Sequence, residues 1–450
     1  MSDTFEVSDF FVCENPQSKY LAEGFLFSNV FLYLFGLILL FHISQSEKIL
    51  MNIVMDEKVA LIQKKLRETN LDGWLLYNFR QSNIFATKVL ALPSHLTQMR
   101  RYFYFIPAEG TPQKLAHGIE QYNLDHLPGE KTVYVSWQSL EDGVKKILGN
   151  TKNVAMEYSP NNAIPYVSKV DAGTVEFVRS FGVNVSSSAD IVQYFEARLT
   201  EEQYADQLET SLILRKTVDV AFSFIGEQLR TNQKVTEYDV QQRMAQYFIE
   251  NGLQYGDAPN CSVNANGANP HYEPTKEIFS EIKHGDYVLI DLWAKKNKQG
   301  SIFSDIAWVA YTGDTIPEKY QQVFDVVKGA RDSAVSFLST EFAAGRKVRG
   351  CDVDDVARKY VVDRGYGEYF IHRTGHSLGE EVHGNGANID NLETHDEREI
   401  IPETCFTIEP GIYLPNEFGI RLEIDVYISK NREVILLGDK IQNEIVTIDC

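Results

Sequence analysis

The chain has 450 residues, 44% of them hydrophobic and 12% aromatic, which allows a large packed core and excludes a disordered chain. Forty-three basic residues against 63 acidic ones give a formal net charge of −20 with no long basic run, so the positive footprint that nucleic acid requires is missing. The five cysteines (Cys13, Cys261, Cys351, Cys405 and Cys450) are scattered and show no CxxC spacing, which argues against a disulfide framework or a cysteine zinc site and for a reducing compartment.

In chain order, the first feature is FLFSNVFLYLFGLILLFHI, residues 25–43, uncharged apart from what His42 can acquire. Its length approaches the ~20 residues that cross a bilayer. The segment before it is acidic and no small-residue cleavage site follows, unlike a cleaved signal peptide. Two readings stand. As a membrane anchor it leaves the body of the protein in the cytoplasm, because Lys48, Lys58, Lys64, Lys65 and Arg67 follow it. Alternatively the natural start lies at Met51 or Met55, and residues 1–54 are a mis-assigned extension. Both readings place the remainder in the cytoplasm.

Residues 55–195 alternate helical and strand-like stretches. A short amphipathic helix from Met55 leads into a strand, and further strands are expected at 132–137 and 153–159. No catalytic constellation is visible there. The character changes near residue 195. A long helix follows Thr200, whose hydroxyl and Gln203 form a capping box. Further helices are expected after Thr236, at 317–338 and at 352–365, the last stopped by Gly365. Strands are expected at 286–294, 301–313, 405–414 and 419–428. Residues 196–450 thus read as an α+β domain with antiparallel hairpins.

Two carboxylate pairs stand out. Asp291 and Asp305 are fourteen residues apart about residue 298, inside the turn-like KKNKQG of 295–300. A hairpin about that point puts the two aspartates directly opposite on one face. Glu409 and Glu423 are again fourteen apart, about residue 416 in LPNEFG, 414–419. Directly opposed side chains have Cβ atoms about 4.5–5.5 Å apart, where like charges repel. One pair alone reads equally well as solvated loop or edge residues. Two pairs in apolar strands call for a cation or shared protons. HRTGHSLGEEVHG, 372–384, adds three of the ten histidines. Four carboxylates with one imidazole suit hard or borderline divalent metals and can hold two ions sharing bridging oxygens, a recurring hydrolytic arrangement.

In LIDLWA, FSDIAW, TGHSLG, TIEPG and GIRLEID, residues 56–445 resemble the pita-bread metallopeptidases, the superfamily of aminopeptidase P, prolidase and methionine aminopeptidase. The resemblance implies an α+β, pseudo-symmetric pita-bread fold at 196–450 preceded by a smaller α/β creatinase-type domain at 55–195. It implies five metal ligands, Asp291, Asp305, His376, Glu409 and Glu423, with Asp305 and Glu423 bridging two ions and Glu409 also acting as general base. His271 in NPHYEP matches a substrate-contacting histidine, His383 in EEVHG one that stabilises the tetrahedral intermediate, and His372 a further active-site position. Arg421 resembles an arginine that orients the ligand carboxylates. The family's activity implies release of an N-terminal residue that precedes proline, as by aminopeptidase P, or splitting of Xaa-Pro dipeptides, as by prolidase. Two divalent ions are expected, manganese first, with cobalt, iron or zinc as alternatives, and a homodimer. A creatinase-like hydrolase and a non-catalytic peptide-binding relative are the rivals, but such members usually lack ligands that are all present here. The chain departs from the family at Trp308, where relatives usually carry arginine, at Ser377 of GHS, and at Gly384, where relatives carry glutamate. These departures bear on substrate preference more than on metal binding.

Overall fold

The computed structural model describes residues 53–450 apart from Ser94, so the apolar stretch 25–43 lies outside the described residues. Among the described residues no helix is long and apolar enough to cross a membrane. The first part is one six-stranded sheet. Its strands are β1 (Gly73–Asn78), β2 (Tyr102–Pro107), β3 (Gln113–His117), β4 (Glu130–Tyr134), β5 (Asn153–Met156) and β6 (Asn184–Ser187), in the order β4-β3-β2-β1-β5-β6. Only β2 runs antiparallel to its neighbours. Every residue of β1 is buried because both faces of the sheet are covered. Trp74 and Leu76 pack with helix α1 (53–68), α2 (Ile84–Val89) and α5 (Ala189–Glu196). Leu75 and Tyr77 pack on the other side with α3 (Trp137–Leu148) and α4 (Ala172–Arg179).

One buried carboxylate ties this layer together. Glu157 accepts from Trp74 Nε1 (2.6 Å), Asn83 Nδ2 (2.6 Å) and Ser188 Oγ (3.1 Å), joining β1, the cap of α2 and the start of α5. Burial raises its pKa, and the three donors oppose that shift.

The rest of the chain repeats one plan twice. Helices α6 (Glu201–Arg230) and α7 (Glu237–Glu250) are followed by the short β7 (Asn260–Val263) and the hairpin β8 (Tyr287–Lys296) and β9 (Ser304–Tyr311). Helices α8 (Glu318–Ala343) and α9 (Gly350–Val362) are followed by a second hairpin, β10 (Cys405–Ile408), β11 (Gly411–Leu414), β12 (Phe418–Arg421) and β13 (Ile424–Ile428). The α6 cap forms as expected, with Gln203 N donating to Thr200 Oγ1 and Thr200 N to Gln203 Oε1. Helix α9 stops short of Gly365, which takes a φ of +83° in the turn beyond it. Val288, Ile290 and Leu292 of β8 pack against α6 and α7, while Tyr287 and Leu289 face the second repeat. The first hairpin is therefore the central wall between the two halves.

The hairpin registers differ in one respect from the sequence expectation. In the first, Asp291 pairs with Ala307 and Asp305 with Trp293, so the aspartates share a face but sit diagonally, not directly opposite. The connection is asymmetric: Ser301, Ile302 and Phe303 are buried, and Phe303 N donates to Gly379 O (2.9 Å), which pulls the turn toward Gly300. In the second hairpin the register is the expected one. Ile408 pairs with Ile424 and Gly411 with Arg421, so Glu409 lies across from Glu423 in the interval between. Pro410, which has no N–H to give, interrupts the ladder there.

Substituting Glu157 by alanine strips three buried donors of their acceptor, at roughly 1–3 kcal/mol each. Chemical denaturation followed by tryptophan fluorescence should show Glu157→Ala as strongly destabilised.

Candidate metal centre and substrate cavity

The two hairpins meet edge to edge at one backbone bridge. Ala307 of β9 pairs antiparallel with Glu423, whose N–H donates to Ala307 O at 3.3 Å. Two residues away, Asp305 N donates to both carboxylate oxygens of Asp425, at 3.1 and 3.2 Å. Because Ala307 also lies opposite Asp291, the join gathers Asp291, Asp305 and Glu423 on one face. Each is less than a tenth exposed.

His376 enters from the loop after α9. Gly375 before it lies so close to β10 that a Cβ would stand 1.9 Å from Thr407 O, so only glycine fits. His376 N then donates to Thr407 Oγ1 (3.0 Å), and Nδ1 donates to Ser377 O (3.2 Å). That tautomer leaves the Nε2 lone pair facing the acids, 3.7 Å from Asp305 Oδ2 and 3.5 Å from Glu409 Oε1. One ligand atom each from Asp305, His376 and Glu423 lies within 4.8 Å of the others. Oδ1 of both Asp291 and Asp305 is buried without a hydrogen-bond partner among the described residues. Unpartnered carboxylate oxygens, a freed imidazole lone pair and the resulting N/O donor set fit divalent cations.

Electrostatics tell the same story. Burial, followed by repulsion from Asp291 and Glu409, holds the Asp305 carboxyl well above its usual range; burial and then Asp305 do the same to Glu423. Burial lifts Glu409 to about 7, even with Arg421 and Arg373 pulling it down. Burial and the neighbouring His383 keep His376 neutral. Arg421 is the one guanidinium inside the acid cluster among the described residues. It donates to Asp291, stands 3.9 Å from Glu423, and gives Nη1 to Tyr413 Oη (3.0 Å).

The structure brings all the sequence-selected residues to one cavity of about 570 Å³, lined by Asp291, Asp305, His376, Glu409, Glu423 and Arg421 together with His271, His372 and His383. Their situations differ. The His383 ring lies edge-on to His376 at 4.4 Å between centroids, and burial and then Arg373 lower its pKa to about 4. His271 is exposed at the mouth, on a loop braced by Glu237, the first residue of α7. Glu237 accepts from Val263 N (2.7 Å), Ser280 N (2.6 Å), Asn266 Nδ2 (2.9 Å) and Tyr272 Oη (2.5 Å). His372 has both nitrogens engaged: Nδ1 donates to Arg373 O (2.7 Å), so Nε2 accepts from Tyr413 Oη (2.8 Å). Burial and Arg421 drop its pKa to about 3, so it stays neutral. It links through Tyr413 to Arg421 and Asp291.

Supporting groups absent from the sequence reading surround the site. Asp354 of α9 holds Arg358 in a two-pronged pair (both 2.9 Å) and accepts from Thr374 N and Oγ1, while Arg358 donates to Phe370 O and His372 O. This fixes the segment that delivers His372 and His376. Tyr413 lies over Gly411, whose Cβ would meet the phenol oxygen at 2.6 Å. Arg373, almost wholly buried, donates to Tyr166 Oη (2.8 Å), a contact from the first part of the chain. Trp308 is not in the cavity. It lies on the reverse face of β9 in the core, under the Arg215 guanidinium at 3.9 Å from its ring centroid. It therefore cannot set substrate preference by contact. At Gly384 a Cβ would stand 2.7 Å from the Leu378 carbonyl carbon, so this backbone excludes the glutamate of relatives.

Residues 211–430 match the model of metallopeptidase family M24. The chain is 28% identical to the Xaa-Pro dipeptidase of Lactobacillus helveticus over 289 residues, 64% of this chain and 71% of that protein. It is likewise 28% identical to the Xaa-Pro dipeptidase of Lactobacillus delbrueckii subsp. lactis over 327 residues, 71% of this chain and 79% of that protein. The structure of prolidase from Thermococcus sibiricus covers 87% of this chain and 99% of its own at TM-score 0.57 and 21% identity, which shows a shared pita-bread fold.

The raised carboxylates give a pH test. Unfolding returns Glu409 from about 7 to the ordinary range near 4.3. Between those values the folded metal-free chain binds more protons than the unfolded one, so its stability falls as pH rises through that window. Metal-stripped protein should melt at higher temperature near pH 5.5 than near pH 8, and a divalent ion should raise the melting temperature more at the higher pH. Asp305→Asn should raise the metal-free value near pH 8 and erase the ion response; scanning calorimetry reads both.

Proposed function

From the match of residues 211–430 to metallopeptidase family M24, we propose that this chain splits the Xaa-Pro bond of dipeptides with two divalent cations held by Asp291, Asp305, His376, Glu409 and Glu423. Bound cations supply polarisation of a carbonyl and a lowered pKa for water. The remaining steps fall to side chains. Glu409 takes the proton of the attacking water and returns it to the proline nitrogen as the C–N bond breaks. His383 donates to the carbonyl oxygen as it gains negative charge. His271 orients the peptide at the mouth. His372 is a positioning residue, since both its nitrogens are committed to Arg373 and Tyr413.

The observation that carries a dipeptide substrate is the buried Arg373. Its guanidinium lines the cavity and donates to Tyr166, a residue from the first part of the chain that lines the same space. A buried cation lining the same cavity as the ligand cluster suits the free carboxylate of a short peptide. Relatives named Xaa-Pro dipeptidase support the same choice. Aminopeptidase action on longer peptides with proline second is the second reading, supported by relatives such as the putative Xaa-Pro aminopeptidase of Mycoplasma genitalium. The complete ligand set disfavours a non-catalytic relative.

Manganese is the metal we assign, with cobalt, iron and zinc able to occupy the same donor set. We place the domain boundary at residues 195–196, at the C-terminal end of the helix α5 that follows the last strand of the first sheet. A homodimer through that sheet is supported by the edge strand β4, beside which Val135 and Trp137 are about 70% exposed (73% and 67%). A cytoplasmic location is supported by Cys261, Cys351, Cys405 and Cys450, which form no disulfide among the described residues.

Metal-stripped protein should hydrolyse an Xaa-Pro dipeptide only after Mn²⁺ is added, and leave an Xaa-Pro-Yaa tripeptide intact. Cleavage of the tripeptide at the Xaa-Pro bond would establish the aminopeptidase reading instead. Asp305→Ala and Glu423→Ala should each lower kcat/KM by about 10³-fold or more; undiminished turnover in either would refute the ligand assignment.

A further inference from the structure

Asn260 is the first residue of β7 and lies directly opposite Asp291 on β8, so its side chain leaves the same face and lines the same cavity. It is only 6% exposed, and its Oδ1 has no hydrogen-bond partner among the described residues. Buried polar groups in native proteins are nearly always partnered, because an unpartnered one forfeits its solvation. The next residue, Cys261, points the other way into the core against α6 and α7, so β7 has an apolar side and a polar side, with Asn260 on the polar side lining the cavity. The cavity rim beside it carries two exposed carboxylates, Asp257 and Glu273.

We propose that Asn260, with Asp257 and Glu273 beyond it, selects an N-terminal residue whose side chain ends in a cationic hydrogen-bond donor, lysine or arginine. The inference rests on the Xaa-Pro reading above. Proline offers no donor to Asn260, since its ring is apolar and its nitrogen has no hydrogen in the peptide. The donor must come from the residue before proline. Exposed rim carboxylates alone discriminate weakly in water. The buried carboxamide adds the discrimination, because a site built to hydrogen-bond a group rejects the analogue lacking it.

The test compares kcat/KM for Lys-Pro and norleucyl-proline, which differ by the side-chain ammonium, on Mn²⁺-loaded protein. The native chain should favour Lys-Pro by about tenfold or more. Asn260→Leu should bring that ratio close to one, chiefly through KM and with norleucyl-proline little changed. Asn260→Asp, which keeps the shape and adds charge, should raise the ratio, and it carries the test should Asn260→Leu not fold. A native ratio near one, or a ratio that neither variant moves, overturns the inference while leaving the peptidase reading intact. An equal fall for both substrates in Asn260→Leu also overturns it, since Asn260 would then read the N-terminal ammonium common to all. Hydrolysis of neither dipeptide overturns both readings together.

Discussion

A single backbone bridge, between Ala307 and Glu423, carries the centre. It joins two hairpins that belong to different halves of the fold and, with the Asp305–Asp425 bonds beside it, puts Asp291 and Asp305 beside Glu423 and Glu409. Left to themselves these acids repel, and burial pushes the carboxyls of Asp305, Glu409 and Glu423 above their usual range. The surrounding structure is arranged to keep them there. The reverse face of β8 is locked into core by Val288, Ile290 and Leu292, so the register cannot slip without exposing an apolar row. Arg421 places one fixed positive charge among the acids and is itself held by Tyr413, which His372 holds in turn.

Much of this was legible in the residues, for identifiable reasons. Period-two alternation fixes which side chains share a strand face, so Asp291 and Asp305 could be placed together without coordinates. The same parity puts Trp308, three residues after Asp305, on the far side, and it lies in the core as that rule requires. The direct opposition of the two aspartates was not legible, because it depends on how the connecting segment packs. Burial of Ile302 and Phe303 shifts the turn, and nothing local in KKNKQG announces it. The glutamate hairpin behaved as expected because its turn is short and its ladder regular on both sides of Pro410.

The residues that escaped sequence reading are those whose role is set by contacts across the chain. Asp354 and Arg358 sit on a helix and look like an ordinary i, i+4 surface pair; burial turns them into the clamp on the histidine segment. Glu237 looks like a first-turn acid favourable to its helix, yet it gathers four donors from the loop that carries His271. The spacing of Gly411 and Tyr413 was a usable signal, since a glycine two residues before a tyrosine on one strand face leaves room for the ring to fold back.

The Tyr166–Arg373 contact separates two tasks that enzymes often entangle. Every candidate ligand and proton carrier comes from residues 271–423, whereas Tyr166, which lines the same cavity, comes from a short helical turn at Pro165–Val167. In the dipeptidase reading proposed above, peptide length is gauged by a part of the molecule that contributes no candidate ligand. An insertion or deletion around that turn would move the gauge while leaving the chemistry untouched. Natural variation there offers a route by which one reaction centre serves peptides of different length without passing through an inactive intermediate.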